Sequence, residues 1–75
     1  MFTIARLTHR HCYGKRPEQC SDHVVGYYSD IEKARAAVKD FFGEDATLDN
    51  DFGFDVWVSE HLPNTEYIID LIQVW

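Results

Sequence analysis

The sequence predicts a small α+β domain in which one helix packs on an antiparallel four-stranded sheet, in the order β-β-α-β-β. Two observations carry this prediction. A central segment repeats apolar residues at the three-to-four spacing of a helix, and the segments on either side alternate or cluster apolar residues as strands do. The 75 residues, 45% hydrophobic and 15% aromatic, are typical of one folded domain spanning 1–75.

The first two predicted strands cover residues 2–11 and 23–28. The first of them has an irregular apolar pattern around Arg6, where the two-residue alternation shifts. Turn-forming residues at 13–18 separate the two strands, and Pro17 prevents easy continuation of the first. These segments therefore predict a hairpin.

The helix is predicted over residues 30–42. Ser29 and Glu32 have the spacing of a capping box, in which the Ser29 hydroxyl accepts a hydrogen bond from the Glu32 amide. Gly43 is the residue type that ends a helix in a left-handed conformation. The apolar side of the helix carries Ile31, Ala34, Val38 and Phe41 or Phe42.

Two further strands are predicted after the helix, at about 52–59 and 67–75. The first places Trp57 and Asp55 opposite its apolar parity, whereas the second has apolar residues on both parities. One helix covers one sheet face, so the second face is expected to meet a curled strand, a second copy or another protein. A short apolar run is also compatible with a helix at 67–75. In the first of these strands, the side chains predicted to face the core are Phe52, Phe54, Val56 and Val58.

The charge is strongly acidic and unevenly distributed. The formal net charge is −6, and residues 30–75 hold three Lys and Arg against eleven Asp and Glu, with no base after Lys39. Phosphate binding needs basic groups that release counterions, so direct nucleic-acid binding is disfavoured.

The carboxylates after Lys39 are candidate partner-binding residues. Without interleaved bases they make a sustained negative field that attracts a protein with a basic surface, and nearby aromatic side chains supply interface anchors. The alternative is that the charges only keep the domain soluble. The predicted partner-binding residues are Asp40, Glu44, Asp45, Asp49, Asp51 and Asp55, with Trp57 and Tyr28 as anchors.

The hairpin concentrates histidine and cysteine. Zinc prefers four such ligands, but the spacing lacks a Cys-x2-Cys knuckle, and strand alternation separates the histidines of the first strand from Cys12. In a reducing cytosol the two cysteines are expected to be thiols. A disulfide and a zinc module stay open as alternatives. The residues concerned are His9, His11, Cys12, Cys20 and His23.

Catalysis is not indicated by any motif. Ser21, Asp22 and His23 are neighbours in sequence, and a strand would point them in alternating directions. We therefore expect a protein that is not an enzyme and that uses no cofactor and no metal. The N-terminal apolar stretch is too short for a secretory signal and no run reaches membrane-spanning length, so we expect a cytoplasmic protein that does not bind membranes.

This profile resembles the small inhibitor proteins that bacteriophages make against host defences, including anti-CRISPR proteins. The resemblance covers the whole chain and is carried by its size, its acidity, the Ser29-capped helix and the lack of a catalytic constellation. It implies an anti-CRISPR or anti-restriction inhibitor that blocks the basic nucleic-acid site of a defence complex in the host cytoplasm. The basic first third departs from a uniformly acidic DNA mimic. A homodimeric structural or regulatory domain, working through the second sheet face, is the alternative.

Overall fold

The computed structural model describes residues 2–43, 46–49 and 54–74. Within them the sheet has five antiparallel strands in the order β2-β1-β5-β4-β3. The α+β class is confirmed, but the predicted number of strands is wrong, because part of the acidic connector pairs with β4 as a short edge strand. The elements are β1 (Phe2–Cys12), β2 (Cys20–Tyr28), α1 (Ile31–Phe42), β3 (Thr47–Asp49), β4 (Asp55–Val58) and β5 (Thr65–Val74).

The predicted hairpin is formed by β1 and β2, with a 3-10 turn at Pro17–Gln19 between them. The irregularity lies between Leu7 and Thr8, next to Arg6, and its extra residue is on β2. Leu7 pairs with Gly26 but Thr8 pairs with Val24, so one extra residue of β2 is left between the two pairs. Because β1 is paired on both sides, its ladder to β5 keeps it regular, and the bulge falls on the edge strand.

The helix occupies the predicted segment but begins with a different cap. Asp30 is the N-cap in extended conformation, and its Oδ1 accepts a hydrogen bond from the Lys33 amide at 3.0 Å. The predicted cap at Ser29 is wrong: Asp30 is equally suited to the position and lies one residue nearer the helix. Gly43 ends the helix as predicted, with φ of 81° and its amide 2.7 Å from the Lys39 carbonyl.

Replacing Asp30 with Ala is expected to lower the free energy of unfolding by about 1 kcal/mol, because the Lys33 amide loses its acceptor. Ser29→Ala is the matched control and should change stability by only a few tenths of a kcal/mol, about the scatter of surface substitutions. Urea denaturation of the two variants measures both values. Equal losses, or a larger loss for Ser29→Ala, would show that Ser29 is the cap.

The core lies between α1 and one face of the sheet. Leu7 and Ile69 are fully buried and directly opposite each other on β1 and β5. Their pairing places the centre of the core on the two middle strands. The core cluster consists of Ala5, Leu7, Ala34, Val38, Phe42, Trp57 and Ile69.

The core parity predicted for the third strand is wrong. Asp55 and Trp57 point into the core side of β4, whereas Val56 and Val58 are half-buried on the opposite side. An ion pair with Arg35 of α1 offsets the cost of burying the Asp55 carboxylate. The pattern of apolar residues could not predict this ion pair. Phe52 lies outside the described residues.

The last strand has two apolar faces, as predicted, and the helical alternative is wrong. Ile69 faces α1, while its neighbours on β5 belong to the opposite face, which none of the described helices or strands covers. We call this surface the open face. It is formed by Ile4, Arg6, Thr8, Arg10, Val56, Ile68, Asp70 and Ile72.

No helix in the described part of the chain is long and apolar enough to cross a membrane.

Candidate protein-binding surface

The predicted acidic residues separate into exposed and buried groups. Asp40 is exposed near the end of α1, and Asp49 is exposed on the edge strand β3. A negative charge near a helix C-terminus is unfavourable with the helix dipole, so Asp40 does not serve helix stability. The predicted residues Glu44, Asp45 and Asp51 lie outside the described residues.

Asp55 is a structural carboxylate. It is 2% exposed and accepts hydrogen bonds from Arg35 Nε at 2.6 Å and Arg35 Nη2 at 3.1 Å. The Trp57 indole donates a third, at 3.2 Å. The hydrogen bond from Arg35 lowers the pKa of the Asp55 carboxyl against the opposing effect of burial, so Asp55 is ionised at neutral pH. Its carboxylate is therefore occupied within the fold.

Trp57 belongs to the same buried arrangement. Its side chain is 8% exposed and lies in the core cluster, directly opposite Tyr67 of β5. A ring in this position contributes to stability and offers almost no surface to a partner. Of the predicted aromatic anchors, only Tyr28 has a partly exposed ring.

Two further arginines are bound by carboxylates across the open face. Arg6 Nη2 lies 2.6 Å from Asp70, and Arg10 Nε lies 2.8 Å from Asp22, each in a two-bond arrangement. The hydrogen bond from Arg10 lowers the pKa of Asp22. These pairs are partly exposed and contribute little to stability, but they neutralise two of the bases in the basic first third.

Most of the exposed carboxylates without an ion pair follow Lys39. Among the described residues four are exposed and have no ion-pair partner within 4 Å: Asp30 caps α1, and the other three are Asp40, Asp49 and Glu60. They keep their full charge available to a partner. The sequence places all three after Lys39, in the segment with no Lys or Arg.

Tyr28 and Asp40 meet in one open groove along α1. Phe41 also lines it and is 51% exposed, and its ring stacks on that of Tyr67 with centroids 5.3 Å apart and planes inclined by 8°. This stacking holds an exposed aromatic ring in a fixed position. We call this site the helix groove. It is lined by Tyr28, Lys33, Ala36, Ala37, Asp40 and Phe41.

The hairpin cysteines form a disulfide, so the expectation of two thiols is wrong. Cys12 and Cys20 lie directly opposite each other on β1 and β2, with Cα atoms 4.0 Å apart. The two cysteines are brought together by the register of the β1–β2 pairing, which could not be predicted from the sequence. The disulfide lies on the side of the sheet that carries the open face.

The hairpin histidines lie on the other side of the sheet. His9 and His23 are paired across β1 and β2, and His11 follows on the same face, with its Nδ1 3.4 Å from Thr65 Oγ1. The zinc alternative is therefore wrong in the form proposed, because the two cysteines are bonded to each other and face away from the histidines. Within the described ranges, no group of three potential ligands is arranged to hold a metal ion.

The neighbouring Ser21, Asp22 and His23 alternate between the two faces. Asp22 binds Arg10 on one face and His23 pairs with His9 on the other, so the three side chains do not converge.

The sequence did not predict that Phe41 is exposed. Both Phe41 and Phe42 fit the helical spacing of the apolar side, and only Phe42 is buried.

No protein-family profile, curated protein or solved structure matches this chain.

Proposed function

We propose that this protein is not an enzyme and acts by binding another protein through the helix groove. The observation that carries the proposal is that Tyr28, Asp40 and Phe41 line one open groove. Aromatic anchors dominate the energetics of protein interfaces, and a charged residue beside them selects the partner. Phe41 is already held by Tyr67, so its ring loses little freedom on binding.

The groove suits a partner that presents basic side chains. An arginine entering it can place its guanidinium over an aromatic ring while Asp40 accepts its hydrogen bonds. Lys33 lies two helical turns from Asp40, at the other end of the groove, where its positive charge repels basic side chains of a partner. The net charge of −6 favours approach of a basic surface by long-range attraction.

The finer proposal is an inhibitor of phage type, acting against CRISPR or restriction systems in the host cytoplasm. Its exposed carboxylates would occupy the basic nucleic-acid site of a defence complex and exclude the nucleic acid. The support is the resemblance in size and acidity, together with the pairing of Arg6, Arg10 and Arg35 by carboxylates. That pairing leaves Asp40, Asp49 and Glu60 as a surplus of exposed negative charge.

Charge reversal in Asp40→Lys/Asp49→Lys tests this proposal. The immobilised wild-type protein is incubated with an extract of bacteria that carry nuclease-based defence systems, and heparin is then added at constant ionic strength. Because heparin competes for basic nucleic-acid sites, it should release the retained proteins. The double variant should retain at least about tenfold less of them, since it loses both attraction and contact.

The control is Glu18→Lys/Asp22→Lys, which changes the net charge equally at two exposed positions of the hairpin, away from the groove. It should retain nearly as much of the same proteins as the wild type. The proposal fails if heparin releases nothing and both double variants retain equal amounts. Circular dichroism confirms that both variants are folded.

The open face favours a second candidate function, a homodimer. The three strands that form it offer a footprint of roughly 400 Å², about half of the ~800 Å² per partner of a standard interface. Exposed apolar side chains extend it, with Phe2 at 72% and Tyr27 at 58% exposure. Analytical sedimentation at about 100 μM, above the Kd of an ordinary dimer, should then give twice the monomer mass, and Ile72→Lys should abolish the dimer. A monomer at this concentration excludes the candidate.

A further inference from the structure

The disulfide is exposed to an open cleft at the tip of the hairpin. The cleft has a volume of about 460 Å³ and is lined by both cysteines and by three basic residues, Arg10, Lys15 and Arg16. Both cysteines are half-buried and line the cleft from two strand ends. Disulfides that a small thiol can reach are the ones that exchange readily.

The charges of the cleft are only partly neutralised. Arg10 is bound by Asp22, and Glu66 also lines the cleft. Arg16 has only a distant and highly exposed partner, Glu18, at 3.9 Å. Among the described residues Lys15 has no ion pair. The acids around the cleft balance its bases as a whole, but the turn at residues 13–18 holds Lys15 and Arg16 against Glu18 alone. This turn therefore keeps one surplus positive charge on the wall of the cleft, and such a charge attracts small anions.

We propose that Cys12–Cys20 is a reversible redox site whose reductant is a small anionic thiol bound by Lys15 and Arg16. This site is separate from the helix groove. The incoming thiolate attacks one sulfur of the pair, the S–S bond breaks, and the other cysteine leaves as a thiolate. A second thiol then attacks the mixed disulfide. The products are a small-molecule disulfide and two protein thiols, so two thiols supply the two electrons and two protons.

The backbone around the site allows the disulfide to form again. The Tyr13 amide donates to the Gln19 carbonyl at 2.9 Å, and the Cys12 amide donates to the Asn64 carbonyl at 2.9 Å. The first of these bonds joins the ends of β1 and β2 and does not depend on the disulfide, so it holds the two strand ends in register after reduction. The second ties the end of β1 to the residue before β5. The thiols then remain opposite each other, positioned for reoxidation by a small-molecule disulfide, which is reduced to two thiols by the reverse of the same exchange.

Reduction rates with three thiols of different charge test the proposal. The folded, oxidised protein is treated with mercaptoethanesulfonate, 2-mercaptoethanol or cysteamine, quenched with iodoacetamide and analysed by mass spectrometry. At equal thiolate concentration, the anionic thiol should react about threefold faster than the neutral thiol and the cationic thiol more slowly. Added salt should remove the preference.

Lys15→Glu/Arg16→Glu should reverse the order of the anionic and cationic thiols. The matched control is Lys33→Glu/Lys39→Glu, which changes the net charge equally on α1 and should keep the wild-type order. The proposal is overturned if the anionic thiol has no advantage, if both double variants behave alike, or if the disulfide resists all three thiols in the folded protein. It is also overturned if protein purified in air contains two free thiols.

Discussion

Arg35→Met is expected to lower the free energy of unfolding by about 3 kcal/mol, because it leaves the buried Asp55 carboxylate without its counter-charge. The Asp55 side chain is 3% exposed and Arg35 is 32% exposed, which places the expected loss at the lower end for a broken buried pair. Met retains most of the aliphatic contact of Arg35, so the loss reports the charge. Urea denaturation measures it.

The double variant Arg35→Met/Asp55→Asn separates the charge from the packing. Asn keeps an oxygen that accepts from the Trp57 indole and buries no charge, so the double variant should regain more than half of the loss. The low pKa of Asp55 stabilises the fold at pH values above about 3.9, and this contribution disappears as acid protonates the folded carboxyl. The wild type and Arg35→Met should therefore converge in stability at low pH. A double variant no more stable than Arg35→Met would contradict this account.

Trp57→Ala is expected to cost about 4 kcal/mol, because it removes a large ring from the core and leaves a cavity beside Tyr67. Val56→Ala, one residue earlier on the opposite face, should cost only about 1 kcal/mol. The comparison tests which parity of β4 faces α1. Thermal denaturation of both variants, followed by far-UV circular dichroism, gives the ratio. A larger loss for Val56→Ala would restore the parity that the apolar pattern predicts.

The sequence predicted the elements whose signals are local. The helix, its end at Gly43 and the β1–β2 hairpin depend on spacing and on turn residues, and each was found in place. The cap was displaced by one residue because Ser29 and Asp30 are both good caps. Sequence preference alone could not choose between them.

The features that the sequence did not predict depend on long-range pairing. The prediction of which side chains of β4 face the core was wrong because the Arg35–Asp55 ion pair joins residues 20 positions apart. This ion pair makes a buried carboxylate favourable. The disulfide depends on the register of the hairpin, which a bulge on β2 alters. The helix groove also depends on tertiary packing, since its fixed ring rests on Tyr67 of a distant strand.

The rate at which a retained partner associates with the wild-type protein tests the central claim most directly. We expect the association rate constant, measured by surface plasmon resonance, to fall about tenfold between 0.05 and 0.5 M salt, with a smaller change in dissociation. Asp40→Lys should slow association to a similar degree at low salt. An association rate that responds neither to salt nor to Asp40→Lys would contradict the account.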